Sequence, residues 1–292
     1  MKKVLVWFNA VRPRTLLVSL APVTIGIAMA HGDGFKHWPS ACAALAVAFF
    51  LQIGTNLSND YFDFVSGADA LGSGRLDRVL VSKALSLREV KWGFVAAFGL
   101  AALAANVLVI RVGMPAVIIL ALSIIAGLWY SAGKWSLARL GLGDIFALIF
   151  FGPVATAGTY FAISYEYDAA ALVAGFMPGF LSAAVLVVNN LRDIASDRKA
   201  GKLTWAVRFG QAFTRMEYLF CVLASAAVPV YFYYMTGCRA VIMVCSLLVF
   251  LTIPIVHTVF TRDEPEALNG ALAMTSLFLF IQAMAFSFIC LF

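Results

Sequence analysis

Apolar stretches close to bilayer length recur from one end of this sequence to the other, and that recurrence limits the fold more than any single motif does. A helix needs about 20 predominantly apolar residues to cross the hydrocarbon core, where the backbone has to satisfy its own hydrogen bonds. Counting such stretches predicts about nine spans in an all-α polytopic membrane protein, read as a single domain over residues 1–292. The chain is 63% hydrophobic and 12% charged, against roughly a quarter charged in soluble domains. The turn Arg111-Val112-Gly113-Met114 is short enough to make its flanking spans an antiparallel hairpin. The polar segments 59–91 and 192–215 read as loops that cap one membrane face.

Charge then orients the spans. The net charge is +6, and its distribution among loops matters more than its sum. With the N-terminus inside, Lys2, Lys3, Arg12, Arg14, the segment Arg75 to Lys91, Lys134, Arg139, the segment Arg192 to Arg215 and Arg262 all fall on the cytoplasmic side. Only Lys36, Arg111 and Arg239 fall outside, so the positive-inside rule selects this orientation. The positive balance is a topology signal and not an affinity for nucleic acid. Cys42, Cys221, Cys238, Cys245 and Cys290 lack any Cys-x-x-Cys or Cys/His spacing and read as packing residues. Arg12-Pro13-Arg14 interrupts the basic-then-apolar start, which favours a retained first span over a cleaved leader. His31, His37 and His257 do not cluster, no Ser/His/Asp or Cys/His arrangement is present, and no Gly-Lys-Ser/Thr follows the glycines of the long loop. Nucleophilic hydrolysis and nucleotide triphosphatase chemistry are therefore unsupported.

Two segments carry chemistry. In NNLRDIASDRKAGKLTWAVR, Asn189, Asp193 and Asp197 recur every four residues, which on a helix stacks them on one face about 6 Å apart per step. Asn56, Asp60 and Asp63 follow the spacing i, i+4, i+7 at the end of an earlier span, with Asp69 in the loop beyond. One aspartate at a membrane boundary is ordinarily a solvated cap, but two columns on the same side reverse that balance, because carboxylates repel unless a cation sits between them. Oxygen donors without histidine or thiolate suit magnesium, which keeps waters and shares substrate phosphates. The pattern predicts a diphosphate held between two metal-binding columns: Asn56, Asp60 and Asp63 on one, Asn189, Asp193 and Asp197 on the other. Arg78, Lys134, Arg192, Lys202 and Arg208 are the candidate phosphate partners, although any cytoplasmic loop is expected to be basic. Lys134 is favoured because Tyr130 precedes it by four residues. Four spans separate the two columns, which fits a parallel repeat of two four-helix units plus one added span.

These motifs resemble the UbiA superfamily of intramembrane aromatic prenyltransferases over nearly the whole chain. The residues that carry the resemblance are RPRTLLVSLAPVTIG from Arg12, QIGTNLSNDYFDFVSGAD from Gln52, LGLGD from Leu140 and NNLRDIASDRKAGKLTWAVRFG from Asn189. Their wording is nearest to the branch that prenylates 1,4-dihydroxy-2-naphthoate. The resemblance implies nine helices around a central cavity in the cytoplasmic membrane of a prokaryote, with Mg2+ ions bridging a polyprenyl diphosphate at the cytoplasmic face. It implies metal and diphosphate roles for Asn56, Asp60, Asp63, Asp193 and Asp197, phosphate roles for Lys134, Arg192 and Lys202, and a catalytic core of Asp60, Asp193 and Lys134. Arg78 matches an Arg-Pro-Leu-Pro-Ser-Gly segment of the family, from which this chain departs at Val79, Val81 and Lys83. The implied reaction forms an allylic cation, which the naphthoate ring captures with loss of CO2 to give demethylmenaquinol, a step in menaquinone synthesis. Two other readings stay open on the residues: another acceptor such as 4-hydroxybenzoate or homogentisate, and a cation-coupled transporter with its ligands near mid-membrane.

Overall fold

The structure, a computed structural model, describes residues 2–67 and 79–292. The described residues form helices α1 (Lys2–Val11), α2 (Pro13–Gly32), α3 (Trp38–Val65), α4 (Leu87–Val112), α5 (Met114–Trp129), α6 (Leu137–Leu140), α7 (Gly143–Ser164), α8 (Ala169–Lys199), α9 (Trp205–Thr236), α10 (Ala240–Thr261) and α11 (Pro265–Leu291). Eight of these, α2 to α4 and α7 to α11, are long and apolar enough to cross a membrane. The ninth expected span is α5, an apolar helix of 16 residues.

Local chemistry sets the boundaries. Proline occupies the first turn of α2, α3, α5 and α11, where its missing N–H costs nothing. The α4 start is a capping box in which Ser86 Oγ accepts from the Glu89 N–H at 3.3 Å and Glu89 Oε2 accepts from the Ser86 N–H at 2.8 Å. Gly113, at φ 68°, ends α4 and turns directly into α5, the short hairpin that the sequence predicts.

The helices close a ring. α3 packs on α4, α9 on α8, and the last helix, α11, on the first span, α2. The most enclosed member is α8, which touches α2, α7, α9 and α11. The outward faces keep Leu103, Ile110, Leu122, Phe220 and Phe250 exposed, the apolar surface that a bilayer would cover. α7 is not continuous: at Phe151 and Gly152 the backbone leaves helical geometry, ahead of Pro153. The break presses against α8 at Gly175 and Gly179, where an added Cβ would lie 2.6 Å from Pro153 Cα and 2.5 Å from the Leu148 carbonyl oxygen. Only glycine permits this approach, which bends α7 around one wall of the cavity described below.

Two expected boundaries are corrected. The segment 192–215 is not a cap loop: α8 stays helical through Lys199 and α9 begins at Trp205, leaving only the turn 200–204. Arg198 and Lys199 are exposed on the last turn of α8, whose other face keeps Asp193 and Asp197 buried. Similarly, 59–91 is helical to Val65 and again from Leu87, so Asp60 and Asp63 lie within α3.

Candidate active site

At the C-terminal end of α3, Asn56, Asp60 and Asp63 are all buried, at 3 to 4% exposure. Burying carboxylates is costly unless they are paired, and the first partner comes from the joint between α1 and α2, 48 positions earlier. Arg12 joins α1 to α2 in a left-handed conformation, φ 55°, and its guanidinium donates to Asp60. That backbone state costs a non-glycine residue roughly 1–3 kcal/mol, which the charge-assisted bond offsets. Asn56 fixes the same joint by donating from Nδ2 to the Val11 carbonyl and to Thr15 Oγ1, both at 2.8 Å.

The C-terminal end of α8 supplies the second column. Asp193 and Asp197 are buried, whereas Asn189 is half-buried. Arg192 grips Asp193 through two bonds of 2.9 and 2.7 Å, donates to Asn189 Oδ1 at 2.8 Å, and reaches Asn269 of α11. The helix then ends on Gly201, φ 70°, with the Lys202 N–H returning to the Asp197 carbonyl at 2.9 Å. This left-handed glycine cap reverses the chain and sends Lys202 back over the acidic face. Its Nζ lies 3.2 Å from Asp63 and 3.9 Å from Asp197. One buried ammonium thus connects the two columns.

Below this junction lies a cavity of about 360 Å³. Arg12, Asn56, Asp63, Asn189, Asp197 and Lys202 line its polar mouth, and Val47, Leu51, Leu108, Ile119, Phe146 and Phe150 line its apolar depth. Polar wall gives way to hydrocarbon wall along α3 itself, within the four turns that separate Asp63 from Ala48.

Not every expected residue reaches this cavity. Lys134 is exposed on the turn after α5. α5 stops at Trp129 and Gly133 has φ 81°, so Tyr130 and Lys134 do not share the helical face that their spacing suggests. Arg208 is exposed and donates to the carbonyls of Leu203 and Leu140. Arg192 serves Asp193 and does not line the cavity. Arg78 and Asp69 lie outside the described residues. Conversely, sequence reading alone misses Arg12, which looks like one more inside-positive charge, and the pair Asp144–Asn190. Asn190 lines the cavity and donates from Nδ2 to buried Asp144 at 3.1 Å. The signal was the doubled Asn189-Asn190, of which only the first falls on the acidic column.

Among the described residues no three His, Cys, Asp or Glu side chains converge as a metal cage. Magnesium does not require one, because it uses one or two carboxylates and completes its shell with water and substrate phosphate. An oxygen-only set in which Asp63 and Asp197 flank a single ammonium fits that preference.

Fold and site together define an all-helical integral membrane protein with two acidic columns at the mouth of an apolar cavity. The profile of the UbiA prenyltransferase family matches residues 19–284, and the chain belongs to that family. The 1,4-dihydroxy-2-naphthoate octaprenyltransferase of Mycobacterium tuberculosis is 39% identical over 213 residues, covering 73% of this chain and 72% of that protein. The enzyme of the same name from Haemophilus influenzae is 30% identical and covers 98% of this chain and 96% of its own. The solved structure of a UbiA homolog from Archaeoglobus fulgidus bound to GPP and Mg2+ superposes with a TM-score of 0.68 at 20% identity, covering 96% of this chain and 99% of that one.

Proposed function

We propose that this protein is a magnesium-dependent aromatic prenyltransferase. It moves a polyprenyl group from polyprenyl diphosphate to 1,4-dihydroxy-2-naphthoate, releasing diphosphate and CO2 and giving demethylmenaquinol for menaquinone synthesis. The observation that carries this reading is the joining of two acidic columns by Lys202 directly above an apolar cavity. Such a site matches a ligand with a polyanionic diphosphate head and a hydrocarbon tail, and relatives that cover most of the chain bear the naphthoate prenyltransferase name. The family assignment also retires the transporter alternative.

Asp63 and Asp197 would hold Mg2+, with Asp60, Asp193, Asn56 and Asn189 completing the two columns. When bound, the ion would neutralise charge developing on the diphosphate as the allylic carbon–oxygen bond breaks. Lys202 and Arg12 then meet the phosphate oxygens, in place of the exposed Lys134. The apolar walls around Phe146 and Phe150 keep water from the allylic cation, and their aromatic faces stabilise it. The aromatic ring attacks, and loss of the ring carboxylate restores aromaticity. The basic residues near the mouth, among them Arg14, Arg198 and Lys199, support a cytoplasmic opening.

The test is product analysis. Purified protein supplied with Mg2+, geranylgeranyl diphosphate and 1,4-dihydroxy-2-naphthoate should yield the prenylated, decarboxylated quinol by mass spectrometry. Product from 4-hydroxybenzoate or homogentisate, with none from the naphthoate, would move the assignment to another acceptor within the family.

A further inference from the structure

Among the described residues, five buried side-chain polar atoms have no hydrogen-bond partner, and only one of them, Gln52 Oε1, belongs to a residue lining the cavity. Gln52 is 8% exposed. Its orientation is not arbitrary, because it ends a chain of bonds whose direction the backbone sets. The Val11 carbonyl can only accept, so the Asn56 amide must turn its NH2 toward it. That leaves Asn56 Oδ1 to accept from Gln52 Nε2 at 3.2 Å. Flipping Gln52 would bring two acceptor oxygens together, so Oε1 is the end left over. A buried carbonyl oxygen without a donor is destabilising, and native proteins keep few of them.

Position narrows the ligand. Gln52 lies one turn below Asn56 and about 12 Å along α3 from Asp60, where Thr15 and Ser19 still line the wall but Ala48 and Val47 already belong to the apolar depth. A prenyl diphosphate passing from the acidic mouth into that depth offers Gln52 no hydrogen-bond donor, since its head is anionic and its tail is hydrocarbon. The phenolic hydroxyls of the aromatic acceptor are donors. Resting on the function proposed above, we infer that Gln52 Oε1 accepts a hydrogen bond from a hydroxyl of the acceptor ring and holds that ring beneath the diphosphate. Gln52 is then a specificity-determining residue for hydroxylated aromatic acceptors.

The test uses the full-length protein in the prenyl-transfer assay, with 1-hydroxy-2-naphthoate and 4-hydroxy-2-naphthoate as competitive inhibitors that each lack one hydroxyl. In the wild type, one of the two should bind about tenfold more weakly than the other, the usual loss for one buried hydrogen bond. In Gln52→Met, which keeps length and volume but not the acceptor atom, that preference should vanish. KM for the naphthoate diol should rise about tenfold, with KM for the prenyl diphosphate unchanged. Gln52→Glu, whose protonated acid can donate to Asn56 and still present an oxygen, should recover most of the affinity. Equal inhibition by both compounds in the wild type overturns the inference without recourse to any variant, as does a Gln52→Met enzyme with unaltered acceptor KM. Absence of any prenylated naphthoate from the wild type is a different result, and it refutes the function instead.

Discussion

Asp63→Asn is expected to lower kcat for prenyl transfer by at least about 100-fold, the usual loss when one preorganised electrostatic partner of a transition state is removed. Asparagine keeps the size of the side chain and one oxygen, so the ends of α3 and α8 remain packed. What disappears is the negative charge on the α3 side of Lys202, which lies 3.2 Å away. The lysine is then shared less evenly, with Asp197 as its acidic neighbour on α8, and the α3 column has one anionic oxygen fewer to offer a divalent cation. A surface control separates this from general charge effects. Asp263, two-thirds exposed and paired with Arg215 at 2.7 Å, should tolerate the same change to asparagine with kcat unaltered. Steady-state turnover of both variants at saturating Mg2+ decides the matter. Wild-type kcat in Asp63→Asn would remove the α3 column from the site.

Lys202→Met should have an even broader effect, because this residue bridges Asp63 and Asp197 and is also the phosphate partner proposed above. Removing one member of a buried ion pair costs about 3–5 kcal/mol, since the remaining charges stay buried. Asp63 and Asp197 would lose the ammonium that lies between them, and the midpoint of thermal unfolding should fall by roughly 6–15 °C. Added Mg2+ should restore much of that loss, because a cation that binds only the folded state stabilises it by mass action. In the wild type, where the ammonium occupies the junction, the same Mg2+ should have a smaller effect. KM for prenyl diphosphate should rise at least tenfold as one phosphate partner is lost. A midpoint insensitive to Mg2+ in the variant would mean that the carboxylates do not form a cation site.

The spans, their order and the two acidic columns were legible because each has a period: about 20 apolar residues for a span, and three or four residues for a helical face. Asp60, Asp63, Asp193 and Asp197 are all buried on helix ends, as their spacing requires. Residues whose placement depends on a turn were not legible. Lys134 looked helical relative to Tyr130, but the left-handed Gly133 intervenes. Lys202 reaches Asp63 only because Gly201 reverses the chain, and a sequence does not say on which neighbour such a reversal lands. Arg12 was hidden for a different reason. Its charge satisfied the topology rule, which left no remainder to explain, while its pairing with Asp60 spans 48 positions. The boundary error over 192–215 has the same origin, since hydropathy marks where a chain leaves the membrane and not where a helix ends.

The two acidic columns act on one ligand only if neither can bind it alone. Calorimetric titration with geranyl thiolodiphosphate, which does not ionise readily, measures this without turnover. The expected result is Mg2+-dependent binding to the wild type, lost to a similar extent in Asp63→Asn on α3 and in Asp197→Asn on α8. Binding that ignores Mg2+, or that survives in either variant at wild-type affinity, would contradict a shared site.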